Sequence, residues 1–249
     1  MITMHSIKTA LTTSICFFIA LAMIFWIARK TDHDMRADIL AGAVKVAAAL
    51  DREQIRALRG SSADLGTEPY LALKNQFEAI RAADSNCRFV YLMGRKPDGR
   101  VFFYVDNEPV GSEDESPAGE IYDDIPGDFL RVFDQNEAQM TGPDTDKWGT
   151  WITALVPIQH PDRDGRIAVF AIDFDARDWK SMVAFRAAVP ASLILLPIVA
   201  LVFMVLREAK SRLKLAQAEL DTSNQRFSSS AALLDEGPSS SFLRIMETG

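Results

Sequence analysis

The sequence predicts an α+β domain carried between two membrane-crossing helices. Three observations lead there. Two uncharged apolar runs, residues 10–28 and 187–206, each approach the ~20 residues needed to span a bilayer. Between them lie two pairs of short apolar, β-branched and aromatic runs, each pair joined by a segment containing Pro, Asp and Gly, which is the pattern of β-hairpins. Ahead of the hairpins, apolar residues recur at helical spacing.

The chain has 249 residues, a formal net charge of −7 and 48% hydrophobic residues, which fits one ordinary domain plus extra apolar material. The first run reads ALTTSICFFIALAMIFWIA. It is longer than the ~7–15 residues of a signal-peptide core and lacks a clean small-x-small site, so an uncleaved anchor is expected. Arg207, Lys210, Arg212 and Lys214 crowd the far end of the second run, and positive flanks stay cytoplasmic. Arg29, Lys30 and Arg36 after the first run, against Lys8 before it, argue for the inverse. The second flank is the stronger, so both termini are expected in the cytoplasm and the central domain outside, in the periplasm. The expected divisions are a cytoplasmic N-terminus (1–9), a first crossing (10–28), an extracytoplasmic domain (29–183), a second crossing (187–206), a coiled coil (207–227) and a disordered tail (228–249).

In chain order, residues 31–58 predict one long helix, with Ala37, Leu40, Ala41, Val44, Ala47, Ala48, Ile55 and Leu58 in register, ended at Gly60. A second helix, 69–83, starts on Pro69 and buries Leu73, Phe77 and Ile80. The first hairpin is CRFVYLMG, RKPDG, RVFFYVDN. The second is WGTWITALVPI, QHPDRDG, RIAVFAIDFD. On its first strand Trp151, Thr153 and Leu155 share one face and Ile152, Ala154 and Val156 the other. Both faces are largely apolar, so a position in the middle of a covered sheet is expected. Between the hairpins, residues 108–147 form an acidic excursion with one short helix, 128–136. Beyond the second crossing, Leu206, Leu213, Leu220 and Phe227 recur at heptad spacing and predict a dimeric coiled coil. The alternative for that segment is an amphipathic helix on the membrane surface.

Several chemistries are excluded. His5, His33 and His160 are scattered and form no catalytic triad or metal cluster. There is no zinc spacing and no Gly-rich phosphate loop, so no metal, cofactor, catalytic residue or nucleic-acid partner is expected. Cys16 lies in the first apolar run and Cys87 is the sole cysteine of the domain, so no disulfide forms within it.

The candidate binding residues are polar tips on otherwise apolar strands: Tyr91, Tyr104, Asp106, Trp151 and Asp173, with Tyr122 reaching in from the acidic excursion as part of a lid. Asp106 would take a ligand amine or hydroxyl donor in a charge-assisted hydrogen bond. For Asp173 a second role is open, capping the helix that follows.

The series of helix, helix, RFVYLM–PDG–VFFYVD, acidic insert, GPDTDKWGTWITALVPI and DGRIAVFAIDFDA between two crossings resembles the PAS-like, Cache-type extracytoplasmic sensor domain of bacterial sensor histidine kinases and related receptors. The match covers roughly 31–179, and Gly142, Pro143, Asp146, Trp148, Gly149 and Trp151 are its most specific part. The resemblance implies a long N-terminal helix on a central antiparallel sheet, a small-molecule pocket on the other face, and a homodimer that signals through the second crossing into the coiled coil. In that family an output domain follows. Here the chain stops at Gly249 with no His after Leu206, so no kinase or cyclase activity is expected of it, and a truncated or split receptor, or one with a separate output partner, is implied. The competing class is a structural membrane protein with two crossings, such as a polysaccharide chain-length regulator, for which Pro190 and Pro197 in the second crossing would be suited.

Overall fold

A computed structural model describes residues 4–159 and 167–235. Its elements are α1 (Met4–Ala49), α2 (Arg52–Ala57), α3 (Glu68–Ala83), β1 (Cys87–Arg95), β2 (Val101–Asp106), α4 (Gly127–Gln135), β3 (Gln139–Thr145), β4 (Thr150–Gln159), β5 (Ile167–Asp175) and α5 (Ala176–Asp235). The five strands form one antiparallel sheet in the order β2-β1-β5-β4-β3. Contacts divide the chain into two units. Ile24–Ala191 forms the sheet-bearing unit, and the described parts of 1–23 and 192–249 form the other.

The helix expected over 31–58 is two helices. It breaks at Leu50, and the Asp51 carboxylate restarts it as α2 by accepting the N–H groups of Glu53 and Gln54, which is how an N-cap satisfies orphan donors. The second expected helix is α3, and the short helix in the acidic excursion is α4, ended by Asn136 in the left-handed conformation. The end of the acidic excursion is a strand, β3, at the sheet edge. The second hairpin pairs β4 with β5 as expected; its connection, which includes His160, lies outside the described residues.

The sheet is covered on both faces. One face carries Val90, Leu92, Ile152, Ala154, Val156, Phe170 and Ile172 and packs under α1, α2 and α3 through Ala43, Ala47, Leu50, Leu58, Leu73 and Phe77. The other face carries Phe89, Tyr91, Met93, Phe103, Trp151, Leu155, Val169 and Ala171 and is closed by Phe129, Val132 and Phe133 of α4 and by Tyr122. The predicted face assignment of β4 is the observed one. Burial of a dozen large apolar side chains at ~1.5–3 kcal/mol each is the principal stabilising contribution.

Two helices, α1 and α5, are each long and apolar enough to cross a membrane. The backbone of α5 is helical to Asp235, so the helix runs through residues expected in the disordered tail, of which 236–249 lie outside the described residues. Along it Leu206, Leu213, Leu220 and Phe227 are all exposed. Cys87 is free and buried, and burial pushes its thiol up to about 12, which makes it an inert packing residue.

Candidate functional site

A small cavity opens on the face of the sheet away from α1. It is lined by Phe89, Tyr91, Phe103, Asp106, Asp114, Ser116, Tyr122, Asp146, Trp148, Trp151 and Asp173. Its volume is about 20 Å³, room for about one water. A larger guest therefore has to displace side chains. Asp173 and Tyr91 at its floor are buried, while Trp148 and Asp114 remain half-exposed at its solvent side.

Asp173 belongs to the central strand, β5. The register places it opposite Phe89 of β1 and Thr153 of β4. Thr153 Oγ1 donates to its Oδ1 at 2.6 Å, and Tyr91 Oη donates to the same oxygen at 3.3 Å. No Lys or Arg is within ion-pair distance of it among the described residues. Burial opposes its charge and raises its pKa to about 7, with the nearby Asp146 adding to the shift and the two hydroxyl donors opposing it. The Tyr91 hydroxyl is in turn raised by burial and by Asp173. The helix cap that was the other possible role for Asp173 falls to Asp175, which accepts the N–H groups of Arg177 and Asp178.

The walls are a connected set of rings. Phe89 meets Trp151 edge-on at 5.1 Å between centroids. Phe103 touches Tyr91, Tyr122 and Trp148 at 5.6, 5.1 and 6.0 Å. Asp146 fixes this roof. Its carboxylate accepts Tyr122 Oη at 2.6 Å, Trp151 Nε1 at 2.9 Å, and the backbone N–H groups of Trp148 and Gly149. Tyr122 is thereby drawn over the cavity from the acidic insert, its hydroxyl pKa raised by burial and by Asp146. Two glycines allow the close approach. At Gly142, which has φ of 89°, a Cβ would lie 2.2 Å from the Trp151 carbonyl oxygen; at Gly149 a Cβ would lie 2.5 Å from the Trp151 ring.

Of the six sequence-predicted residues, Tyr91, Asp106, Tyr122, Trp151 and Asp173 line the cavity and Tyr104 does not. Tyr104 packs on the helix side, 4.7 Å from the Phe102 ring. The reason is a β-bulge. Leu92 pairs with Val105 and Met93 with Phe103, which leaves Tyr104 as the extra residue. A bulge inserts one residue and inverts the alternation beyond it, so Phe103 and Val101, not Tyr104 and Phe102, share the face of Asp106.

Asp106 lines the cavity but is already engaged. Lys74 Nζ donates to its Oδ1 at 2.7 Å and Ser116 N–H to its Oδ2 at 2.6 Å. Lys74 also reaches Glu115 at 3.2 Å. Burial works against the Lys74 ammonium, but Asp106 and Glu115 outweigh it and its pKa is raised. The expected ligand contact of Asp106 is thus occupied by a lysine of α3. Arg88 holds the same loop from β1, binding Glu108 at 2.8 Å and Asp114 at 2.7 Å. Among the described residues no group of three or more His, Cys, Asp or Glu has the arrangement of a metal site.

Asp146, Trp148, Phe103 and Phe89 also line the site but were not among the candidate binding residues, although Asp146 and Trp148 stand in the most specific part of the resemblance. The signal for Asp146, Trp148 and Gly149 was present in the GPDTDKWGTW run; an Asx turn ahead of a Trp-rich strand is a local pattern.

No family model matches the chain, and no curated protein matches it. Among solved structures, the ligand-binding domain of the Campylobacter jejuni chemoreceptor Tlp3 in complex with L-valine is similar over 70% of this chain and 67% of that one, at 21% identity and a TM-score of 0.40. The sensory domain of Tlp3 with isoleucine bound is similar over 70% and 66%, at 21% identity and a TM-score of 0.38. The second GAF domain of DevS from Mycobacterium smegmatis is similar over 49% of this chain and 93% of that one, at 13% identity and a TM-score of 0.30.

Proposed function

We propose that this chain is the input module of a transmembrane receptor: a PAS-like, Cache-type domain that binds a small molecule in the periplasm and reports it through α5. The observation that carries the reading is the position of Asp173. A buried carboxyl without a cationic partner sits at the floor of an aromatic-walled cavity, two residues ahead of the cap of α5, the helix that carries the second apolar run. Apolar walls with a few convergent polar groups are what small-molecule sites are made of. A ligand that reorders this floor acts directly on the root of α5, where Trp179 packs on Phe174 at 5.8 Å between ring centroids.

On this reading α1 and α5 cross the plasma membrane, both termini are cytoplasmic, and the heptad of Leu206, Leu213, Leu220 and Phe227 closes a homodimer. The output is borne by a partner such as a histidine kinase, not by catalysis in this domain. The test is a thermal melt of the full chain in lipid nanodiscs against a library of metabolites. At least one compound is expected to stabilise it; a ligand at 100 times its dissociation constant adds ~2.7 kcal/mol. A chain that assembles into higher-order rings and responds to no compound would be a structural membrane protein instead.

A further inference from the structure

We propose that the ligand is an organic ammonium without a carboxylate: an alkylamine whose cationic nitrogen enters the ring of aromatic side chains and ends at Asp173. This rests on the sensor reading above and narrows it to a class of ligand.

The charge inventory of the cavity carries the inference. Four carboxylates line it, and no Lys, Arg or His does so among the described residues. Two of the four are already neutralised from behind, Asp106 by Lys74 and Asp114 by Arg88. Asp146 is saturated by four donors, none of them cationic. That leaves Asp173, whose two hydrogen bonds come from neutral hydroxyls. The groups facing it are Tyr91 and Cys87 on β1, Thr153 on β4, Tyr122 on the insert and Asp146 on the β3–β4 turn. None is a cation, so a positive charge that meets the ionised form of Asp173 has to come with the ligand.

The walls agree. Faces of Trp, Tyr and Phe attract a cation, and the attraction grows as water is excluded. The same walls offer an anion nothing. A zwitterionic amino acid would bring a carboxylate next to Asp146 with no cation to meet it, and like charges in such a site are strongly disfavoured. The cations around the cavity are committed elsewhere: Lys74 and Arg88 are each shared between two carboxylates, and Lys147, 4.0 Å from the Trp148 ring centroid, pairs with Glu120 at 2.9 Å. The small volume points the same way: a primary ammonium head is among the few organic groups that can enter with limited displacement of Trp148, leaving the alkyl chain toward the solvent side.

Binding then displaces a proton. Asp173 is largely protonated at mildly acidic pH and must ionise to meet an ammonium. By linkage, affinity rises as pH rises through the Asp173 titration. A shift of about tenfold between pH 6 and pH 8 is the expected scale.

The experiment uses the full chain in nanodiscs, with ethylammonium chloride, sodium acetate and L-alanine as probes, read as melting shift and by titration calorimetry at pH 6, 7 and 8. Ethylammonium is expected to stabilise the protein, more at pH 8 than at pH 6, while acetate and alanine do not. Asp173→Asn, which imitates the neutral acid, is expected to weaken ethylammonium binding at least about tenfold and to abolish its pH dependence. The pH series on the unaltered chain stands even if that variant fails to fold. Alanine or acetate binding as well as ethylammonium would overturn the ammonium class and leave the sensor reading intact. So would a library in which only compounds without an amine stabilise the chain. A library with no stabilising compound would overturn the sensor reading itself.

Discussion

Trp179, at the start of α5, donates its indole N–H to Asp32 of α1 at 2.7 Å, across 147 residues of sequence. Arg36, one turn on, closes the junction. It pairs with Asp32 at 3.0 Å, lies over the Trp179 ring at 5.5 Å, and donates to the carbonyl oxygens of Thr141 and Gly142 on β3. One side chain therefore touches the roots of both long helices and the strand that leads, a few residues later, to Asp146 over the cavity. Trp179→Phe removes the indole donor and should cost ~1.5 kcal/mol, the scale of a hydrogen bond to a charged acceptor. Asp32→Asn acts on the same bond, so the double variant should fall short of the sum of the two singles. Denaturant melts of the three variants check both statements.

The buried Lys74 ion pairs should dominate the stability of the insert. Removing one partner of a buried pair strands the other and costs ~3–5 kcal/mol. Asp106→Asn should therefore lower the melting temperature as well as alter the cavity. Lys74→Met should be worse, because it strands both Asp106 and Glu115. Paired melts of the two variants give the order.

The bulge at Tyr104 makes a prediction about faces. Tyr104→Phe should leave any ligand response unchanged, because the side chain lies on the helix side of the sheet. Phe103→Ala removes the ring that joins Tyr91, Tyr122 and Trp148 and should cost ~3–5 kcal/mol. Ligand-induced melting shifts, measured for both variants, separate the two faces.

These outcomes mark where the sequence was legible. The two faces of β4 followed from the two-residue period of an extended strand, and α3 from its Leu73 and Phe77 spacing, because both patterns are local. The bulge has no local mark: VFFYVD reads as an uninterrupted strand, and only pairing with β1 shows the extra residue. β3 was hidden because Gly, Pro, Thr and Asp are loop-forming residues; what makes QMTGPDT a strand is its partner, β4. Asp106 looked free because its partner Lys74 lies 32 residues away on another element. Asp173 was a candidate for the cap of the following helix, and only the hydrogen bonds show that Asp175 takes that place.

Stability should depend on Asp173 in a defined direction. Its pKa in the folded protein is raised to about 7 from an ordinary value of 3.8, so the folded state holds the proton over that range and the unfolded state does not. Stability is then greatest at low pH with respect to this group and falls as pH rises between about 4 and 7, at up to ~1.4 kcal/mol per pH unit. Asp173→Asn should remove that slope. Denaturation midpoints at pH 5, 6, 7 and 8 for both proteins check the sign.

The central claim is that the cavity beneath Phe103 is where the ligand binds and that its floor acts on α5. Hydrogen–deuterium exchange of the full chain in nanodiscs, with and without the strongest stabilising compound, tests it most directly. Protection is expected at residues 146–153 and 171–179 together, covering the roof, the floor and the root of α5. Protection confined to the helix-packed face of the sheet, or protection at 146–153 with none at 171–179, would contradict it.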